Sequence, residues 1–438
     1  GAVSVAEGTP LMASAQVYGK ATSDGKYGTD VIWQFTAIPL ESGQTAQYDF
    51  YRAWMTQWNE NQSDPTGQLG GCWSWIGQND NLQLFRGYAL TQNNETWYNF
   101  YGTLPTSDYQ LSGLTYTTGQ GDGYHLLGNS YSAPIDVAAM NAEDFYNMEM
   151  TFYLLHFGSQ DQQQKLAEEG SLNITGDPGE LSNGQYYAIP LFLAKEGLLT
   201  STLIPAMQGF FVQTTAPDAR LSFDYDRIVH QPNKYATQSA PAAYLPTRNM
   251  ASQVYAYLTV ICSTTHFADA AKLFLNDDCS DDFDNGWDGK KMLGSAASPQ
   301  IYWITDAGLW QYNVTNQADS VLLEVVAGSE RDITLRFDRS EMGNYYPQLW
   351  LKDLQTGAYI DLNRTDRYAY SDAPGHPRRF LLIGHRDSPT GTATPSVGQS
   401  TKGVYDILGR KLPNNPSSKQ SGMYIFIDDN GTRKEVIL

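Results

Sequence analysis

Apolar and polar residues alternate along most of the chain in short runs, and the runs are separated by turns rich in Gly, Asn, Asp and Pro. A period of two places successive side chains on opposite faces of a strand, so the pattern predicts many short strands rather than alternating β and α units. Residues 349–354 and 358–362, joined through Gln355-Thr356-Gly357, predict one hairpin, and residues 301–304 and 309–314 around Asp306-Ala307-Gly308 predict another. In both, β-branched and aromatic residues flank a turn containing glycine, whose missing Cβ permits backbone angles that other residues resist. Further strands are expected at 31–38, 97–102, 209–214, 332–337 and 380–383. Helix signals are weak, and the best are residues 135–140 after Pro134 and the polar stretch 160–169. Residues 267–275 combine Ala-rich helical spacing with the strand-like ending Lys272-Leu273-Phe274-Leu275 and are assigned to a strand.

Composition places the boundaries. Residues 231–247 hold three prolines among Ala, Ser, Asn and Gln, and residues 388–401 form a Ser/Thr/Gly/Pro stretch without periodicity. The expectation is an all-β protein with two sandwich-like, jelly-roll-like domains at residues 1–245 and 246–388, followed by a linker and a small β unit at 389–438. No repeat of a length that would signal a solenoid or propeller is visible.

Charge then narrows the partners. Lys and Arg number 28 against 47 Asp and Glu, a net charge of −19, which argues against nucleic acid and against an anionic membrane face. No apolar run of about 18 residues exists that could span a bilayer as a helix. The chain opens Gly1-Ala2-Val3-Ser4, read as a trimmed start, so the missing leader says nothing against export. Cys72, Cys262 and Cys279 lack the paired spacing of a structural zinc site and allow at most one bridge. Cys262–Cys279 is the candidate pair, weighed against three buried free thiols.

The signatures of common catalytic sites are absent, including G-x-S-x-G, H-E-x-x-H and the P-loop, and six histidines are scattered through the chain. The carboxylate pair of a glycoside hydrolase has no sequence signature, because its separation is set by the fold. A polysaccharide hydrolase is therefore one rival reading, and a structural surface-assembly subunit is another.

Two segments carry candidate chemistry. Residues 276–289 hold six Asp and two Asn in fourteen positions, and hard oxygen donors on a turn-rich segment suit calcium. Asp281, Asp282, Asp284, Asn285 and Asp288 are the candidate ligands, although the EF-hand order is missing; the alternative is a solvated loop whose Asp and Asn side chains cap backbone groups. The second segment is aromatic: Trp54, Trp58, Trp73, Trp75 and Trp97 lie among Asn and Gln. Flat rings stack on sugar C–H faces and amides bond hydroxyls, so these tryptophans are candidate glycan ligands, weighed against ordinary core packing. Trp97 and Tyr98 are neighbours and must face opposite sides of a strand.

The C-terminal residues Val404-Tyr405-Asp406-Ile407-Leu408-Gly409-Arg410, Ser421-Gly422-Met423-Tyr424-Ile425 and Arg433-Lys434-Glu435-Val436 resemble the end of the C-terminal sorting domain of type IX secretion substrates. Only residues 403–438 match, and the first half of the usual sorting-domain sandwich is missing or replaced by the linker. Leu126-Leu127-Gly128-Asn129-Ser130-Tyr131-Ser132-Ala133-Pro134-Ile135-Asp136, Ile204-Pro205-Ala206-Met207-Gln208-Gly209-Phe210-Phe211-Val212 and Phe283-Asp284-Asn285-Gly286-Trp287-Asp288-Gly289-Lys290-Lys291 are similar to recurring segments of the large surface proteins that carry this tail. The resemblance implies β architecture, an extracellular or outer-membrane-associated location, and engagement of the secretion machinery through the tail. Without it, Gly128 and Gly209 read as turn or close-approach glycines, Met207 and Phe210 as core, and Asp136 as a helix cap. The combined expectation is a secreted or cell-surface, non-enzymatic protein that binds a glycan or a host or matrix surface, with no cofactor beyond calcium.

Overall fold

The structure, a computed structural model, describes residues 11–19, 33–41, 43, 45–51, 53–63, 71–156, 184–199, 201–229, 255–265 and 267–385, and the backbone of strands at 403–406, 422–428 and 431–437. The predicted helix at 160–169 and both proposed linkers lie outside the described residues. The described chain is all-β, as its alternation predicts. Contacts divide it into one compact unit, Gly1–Arg386, and a second, Asp387–Leu438.

In the C-terminal part of the first unit one sheet runs in the order Tyr359–Asp361, Gln348–Asp353, Pro377–His385, Val321–Val326, Gln300–Thr305, Gly308–Thr315, Ala268–Leu275, Tyr257–Ser263, Asp332–Asp338 and Arg367–Ser371. Both predicted hairpins are present, with Trp303 opposite Trp310 and Leu351 opposite Ile360. The ambiguous segment is a strand, whose Leu273 pairs with Leu258 on one side and, in parallel, with Asn313 on the other. The sheet curls until its ends meet. Tyr368 near one edge donates to Asp353 Oδ2 near the other at 2.9 Å and its ring lies 6.2 Å from Phe380. Inward residues of both ends, including Leu335, Leu351, Trp303 and Phe380, therefore share one core, which removes most of the exposed edge that an open sheet would present.

The N-terminal part stacks smaller sheets. One has the order Gln185–Pro190, Thr151–His156, Gly209–Gln213 and Tyr124–Gly128. Another has the order Gln34–Thr36, Tyr88–Thr91, Trp54–Trp58 and Trp73–Trp75. Gly128 and Gly209 stand opposite each other in register where these two sheets meet. A Cβ on Gly128 would lie 2.5 Å from the Ala37 Cβ, and one on Gly209 would lie 2.8 Å from the Phe35 Cβ, so both positions need glycine for close approach. Phe210 is core, whereas Met207 is only partly buried and sits at φ 63°.

The helix expected at 135–140 is a short strand pair followed by a single 3-10 turn, Val137–Ala139. Ile135 and Asp136 pair with Ile204 and Leu203, and this long-range pairing outweighs local helical preference. Asp136 caps the turn as expected, accepting from Ala138 N at 3.0 Å. Cys262 and Cys279 are not bridged: all three cysteines are free and buried. Cys262 lies inside the large sheet's core and Cys279 among a separate aromatic cluster, which is the reading of buried thiols.

The segment 283–291 joins the two parts of this unit. Asn285 accepts from Met150 N at 2.8 Å and donates to Met148 O at 3.2 Å, and Phe192 N donates to Gly286 O at 2.8 Å. Lys290 pairs with buried Glu149, while its neighbour Lys291 points the other way and pairs with Asp269. At the end of the short strand Gly289–Lys290, two adjacent lysines thus reach opposite sides and two different buried acids.

In the second unit, Gly403–Asp406, Gly422–Asp428 and Gly431–Ile437 form an antiparallel three-stranded sheet. The last strand pairs Glu435 with Tyr424.

Candidate ligand-binding surfaces

The register of the tryptophan-rich sheet sets where its rings go. Trp58 stands opposite Trp73 and Thr56 opposite Trp75, and Trp54, Thr56 and Trp58 alternate along one strand, so all four candidate tryptophans share one face. That face divides in two. Trp58 and Trp73 are partly buried with centroids 5.2 Å apart, Trp58 packs edge-on to Phe211 at 5.6 Å, and the Trp58 indole donates to Tyr124 O at 2.7 Å. These two rings bridge sheets. Trp54 and Trp75 lie at the rim, 43% and 42% exposed. Trp33, which sequence reasoning missed, lies 6.1 Å from Trp75.

Trp97 belongs to a different surface. Strands Leu11–Gly19 and Thr96–Leu104 pair antiparallel along nine rungs, with Leu11 opposite Leu104 and Gly19 opposite Thr96. The inward set, Leu11, Ala13, Ala15, Val17, Tyr98, Phe100 and Leu104, packs with Leu40, Phe50 and Tyr88. The outward set forms a ladder of cross-strand pairs: Tyr18 with Trp97, Gln16 with Asn99, Ser14 with Tyr101, and Met12 with Thr103. Tyr18 and Trp97 have centroids 5.0 Å apart, and Gln16 Nε2 donates to Asn99 Oδ1 at 2.8 Å. Trp97 is 57% and Tyr101 53% exposed. A hydrogen bond to the Glu95 carboxylate raises the pKa of the exposed Tyr18 hydroxyl. Tyr101 belongs to the aromatic cluster around Trp97, whereas Gln16, Tyr18 and Asn99 are not legible as site residues, because a pairing of strands so far apart in sequence leaves no local mark.

The acidic segment uses its oxygens within the fold. Asp288 is buried and accepts from Asp284 N at 2.8 Å and Val314 N at 2.7 Å. Asp284 Oδ2 accepts from Ser280 N at 2.7 Å and Ser280 Oγ at 3.1 Å, and Asp281 accepts from Thr315 Oγ1 at 2.7 Å and Gln317 Nε2 at 2.9 Å. Asn285 makes the bonds to Met148 and Met150 described above, and Asp282 is exposed. Among the described residues no three His, Cys, Asp or Glu side chains are grouped to hold a metal ion. Burial pushes the Asp288 carboxyl up to about 7, against the pull of its two backbone donors.

Other buried acids are likewise built into the fold. Glu60 accepts from Thr117 Oγ1 and Gly123 N, both at 3.0 Å, and Asp353 pairs with Arg378 at 2.6 Å. Burial pushes both carboxyls up, and hydrogen bonds outweigh it: Glu60 ends below its ordinary range, and Asp353, bonded first by Arg378, falls to about 2. Among the described residues no helix is long and apolar enough to cross a membrane.

Fold and surfaces together define an all-β protein that presents aromatic faces outward. The chain is similar to the minor fimbrium subunit Mfa5 of Porphyromonas gingivalis, with 28% identity over 395 residues. That stretch takes in 86% of this chain and 30% of the relative, so the chain spans about a third of that protein's length. Neither a protein-family model nor a solved structure matches the chain.

Proposed function

We propose that this chain is a cell-surface module of the fimbrium-subunit type, adhesive rather than catalytic, held outside the cytoplasm by a larger surface assembly. The observation that carries the reading is the similarity to a fimbrium subunit across 86% of the chain. Its chemistry is in keeping: strongly acidic overall, with its buried carboxylates engaged in pairs and caps and its large exposed rings on sheet faces. Surfaces of this kind recognise partners by stacking and neutral hydrogen bonds rather than by charge. The tail strands 403–437 serve in this reading as the address for export through a type IX route.

Antibody raised against the purified chain tests the location. It is expected to label intact cells and to lose its signal after surface proteolysis; signal that appears only after lysis would refute the reading. Removing residues 403–438 is expected to retain the protein inside the cell, and normal surface display of that truncation would refute the tail's role.

A further inference from the structure

We propose that the outward face of the antiparallel strand pair Leu11–Gly19 and Thr96–Leu104 is a binding site for a neutral, extended polysaccharide. Trp97, Tyr18 and Tyr101 are its stacking platforms, and Gln16 and Asn99 are its hydrogen-bonding groups. The inference rests on the adhesive reading above and gives it a ligand class and a location. Three observations carry it.

First, these rings are not needed to fill the core, and within the fold Trp97 contributes a cross-strand ring contact with Tyr18. Tyr98 and Phe100 on the same strand already fill the core, while their alternating neighbours Trp97 and Tyr101 point to solvent. Large aromatics in a row on an outward face cost solubility unless something covers them.

Second, the face is neutral. Met12, Ser14, Gln16, Tyr18, Trp97, Asn99, Tyr101 and Thr103 include no charged side chain, in a chain with 75 charged residues and a net −19. Acids border it only at its two ends, where Glu95 bonds the Tyr18 hydroxyl and Glu41 pairs with Thr103. Such a face has no cation with which to hold a polyanion. It matches a ligand whose surface is C–H groups and hydroxyls.

Third, the spacing is that of a linear ligand. Trp97 and Tyr101 are four residues apart on one strand, a separation of about 13 Å at a rise of about 3.3 Å per residue, with the Gln16–Asn99 amide pair between them. A chain of several pyranose rings laid along the strands meets a ring, then amides, then a ring. The polar central rung also distinguishes this face from a self-association surface, whose centre is ordinarily apolar. The rim tryptophans Trp54 and Trp75 form a separate, shorter patch.

Affinity electrophoresis of the full chain through gels containing hydroxyethylcellulose, with titration of cellohexaose followed by tryptophan fluorescence, tests the site. Retardation of the wild type is expected, with tenfold or greater loss of affinity in Trp97→Ala and in Tyr101→Ala. Trp54→Ala and Trp75→Ala are expected to bind as wild type. Because a substituted chain could misfold, oxidative footprinting of the unmodified protein gives an independent readout: Trp97 should be protected by cellohexaose. Failure of the wild type to bind either neutral probe, preference for heparin, unprotected Trp97, or loss of a dimer in place of loss of glycan binding in Trp97→Ala would each overturn the site. If the ladder variants still adhere to cells as wild type does, this site falls and the adhesive module stands. If the wild type binds cellohexaose but is absent from intact cell surfaces, the site stands and the surface reading falls.

Discussion

Replacing Lys291 with Met removes one partner of the most deeply buried ion pair described in this chain. Both side chains are 0% exposed. Asp269 also accepts from Ile301 N at 2.8 Å and from Ala270 N at 2.9 Å, so its carboxylate organises the start of one strand and the backbone of another. Without the ammonium, a carboxylate remains in the core of the large sheet beside Cys262, whose own thiol burial drives upward. Breaking a buried pair in this way costs about 3–5 kcal/mol, a large share of the roughly 5–15 kcal/mol that holds a domain folded. Asp269→Asn should cost a similar amount, because it leaves the lysine unpaired. The double variant Lys291→Met with Asp269→Asn carries no buried charge, and the amide oxygen still accepts from Ile301 N. Its cost should be about 1–3 kcal/mol, that of one imperfectly satisfied polar group. The double variant is therefore expected to be more stable than either single one, an interaction energy of several kcal/mol. Urea unfolding followed by tryptophan fluorescence measures all four proteins. A Lys291→Met variant within about 1 kcal/mol of wild type, or a double variant whose loss equals the sum of the singles, would refute the claim that the pair is dry and mutually dependent.

Asp288, with a carboxyl raised to about 7 by burial, gives a pH dependence with a definite sign. The folded state binds its proton more tightly than the unfolded chain, whose carboxyl titrates near 4. Its contribution is therefore full below about pH 4 and is lost as pH rises toward 7. Melting temperatures between pH 4 and 8 should decline more steeply in wild type than in Asp288→Asn, and parallel curves would refute the assignment. The two classes of tryptophan separate by stability: Trp58→Ala should cost about 3–5 kcal/mol as a large packed ring, whereas Trp97→Ala should stay within about 1 kcal/mol, the scale of one exposed cross-strand pair. Equal losses in urea unfolding would mean that the ladder is part of the core.

Those two tryptophans also show what was readable in the chain and what was not. Alternation and glycine turns locate the hairpins at 300–315 and 348–361 because each of these strands pairs with a near neighbour in sequence. The same alternation marks Trp97 as facing away from Tyr98. It says nothing about which of the two faces solvent, or that Tyr18 would lie across from Trp97. That pairing depends on a register fixed by burial of Leu11, Ala13, Ala15 and Val17 against the core. The expectation for residues 135–140 failed for a related reason. Its helical look is local, and Ile135 is claimed instead by Ile204, nearly seventy residues away.

The acidic segment shows the limit of composition as evidence for chemistry. Oxygen-rich turns suit a divalent cation and suit backbone capping equally well, since both satisfy carboxylates with positive partners. What distinguishes them is where the unpaired backbone N–H groups lie. Here Val314 N, Asp284 N, Ser280 N and Met150 N converge on Asp288, Asp284 and Asn285, and at a junction between two cores those amides would otherwise be left unsatisfied. Asp284 and Asp288 thus serve the way the chain crosses from one core to the other. The outward aromatics of the ladder satisfy no buried backbone group of this kind, which is why the proposed glycan site is placed there.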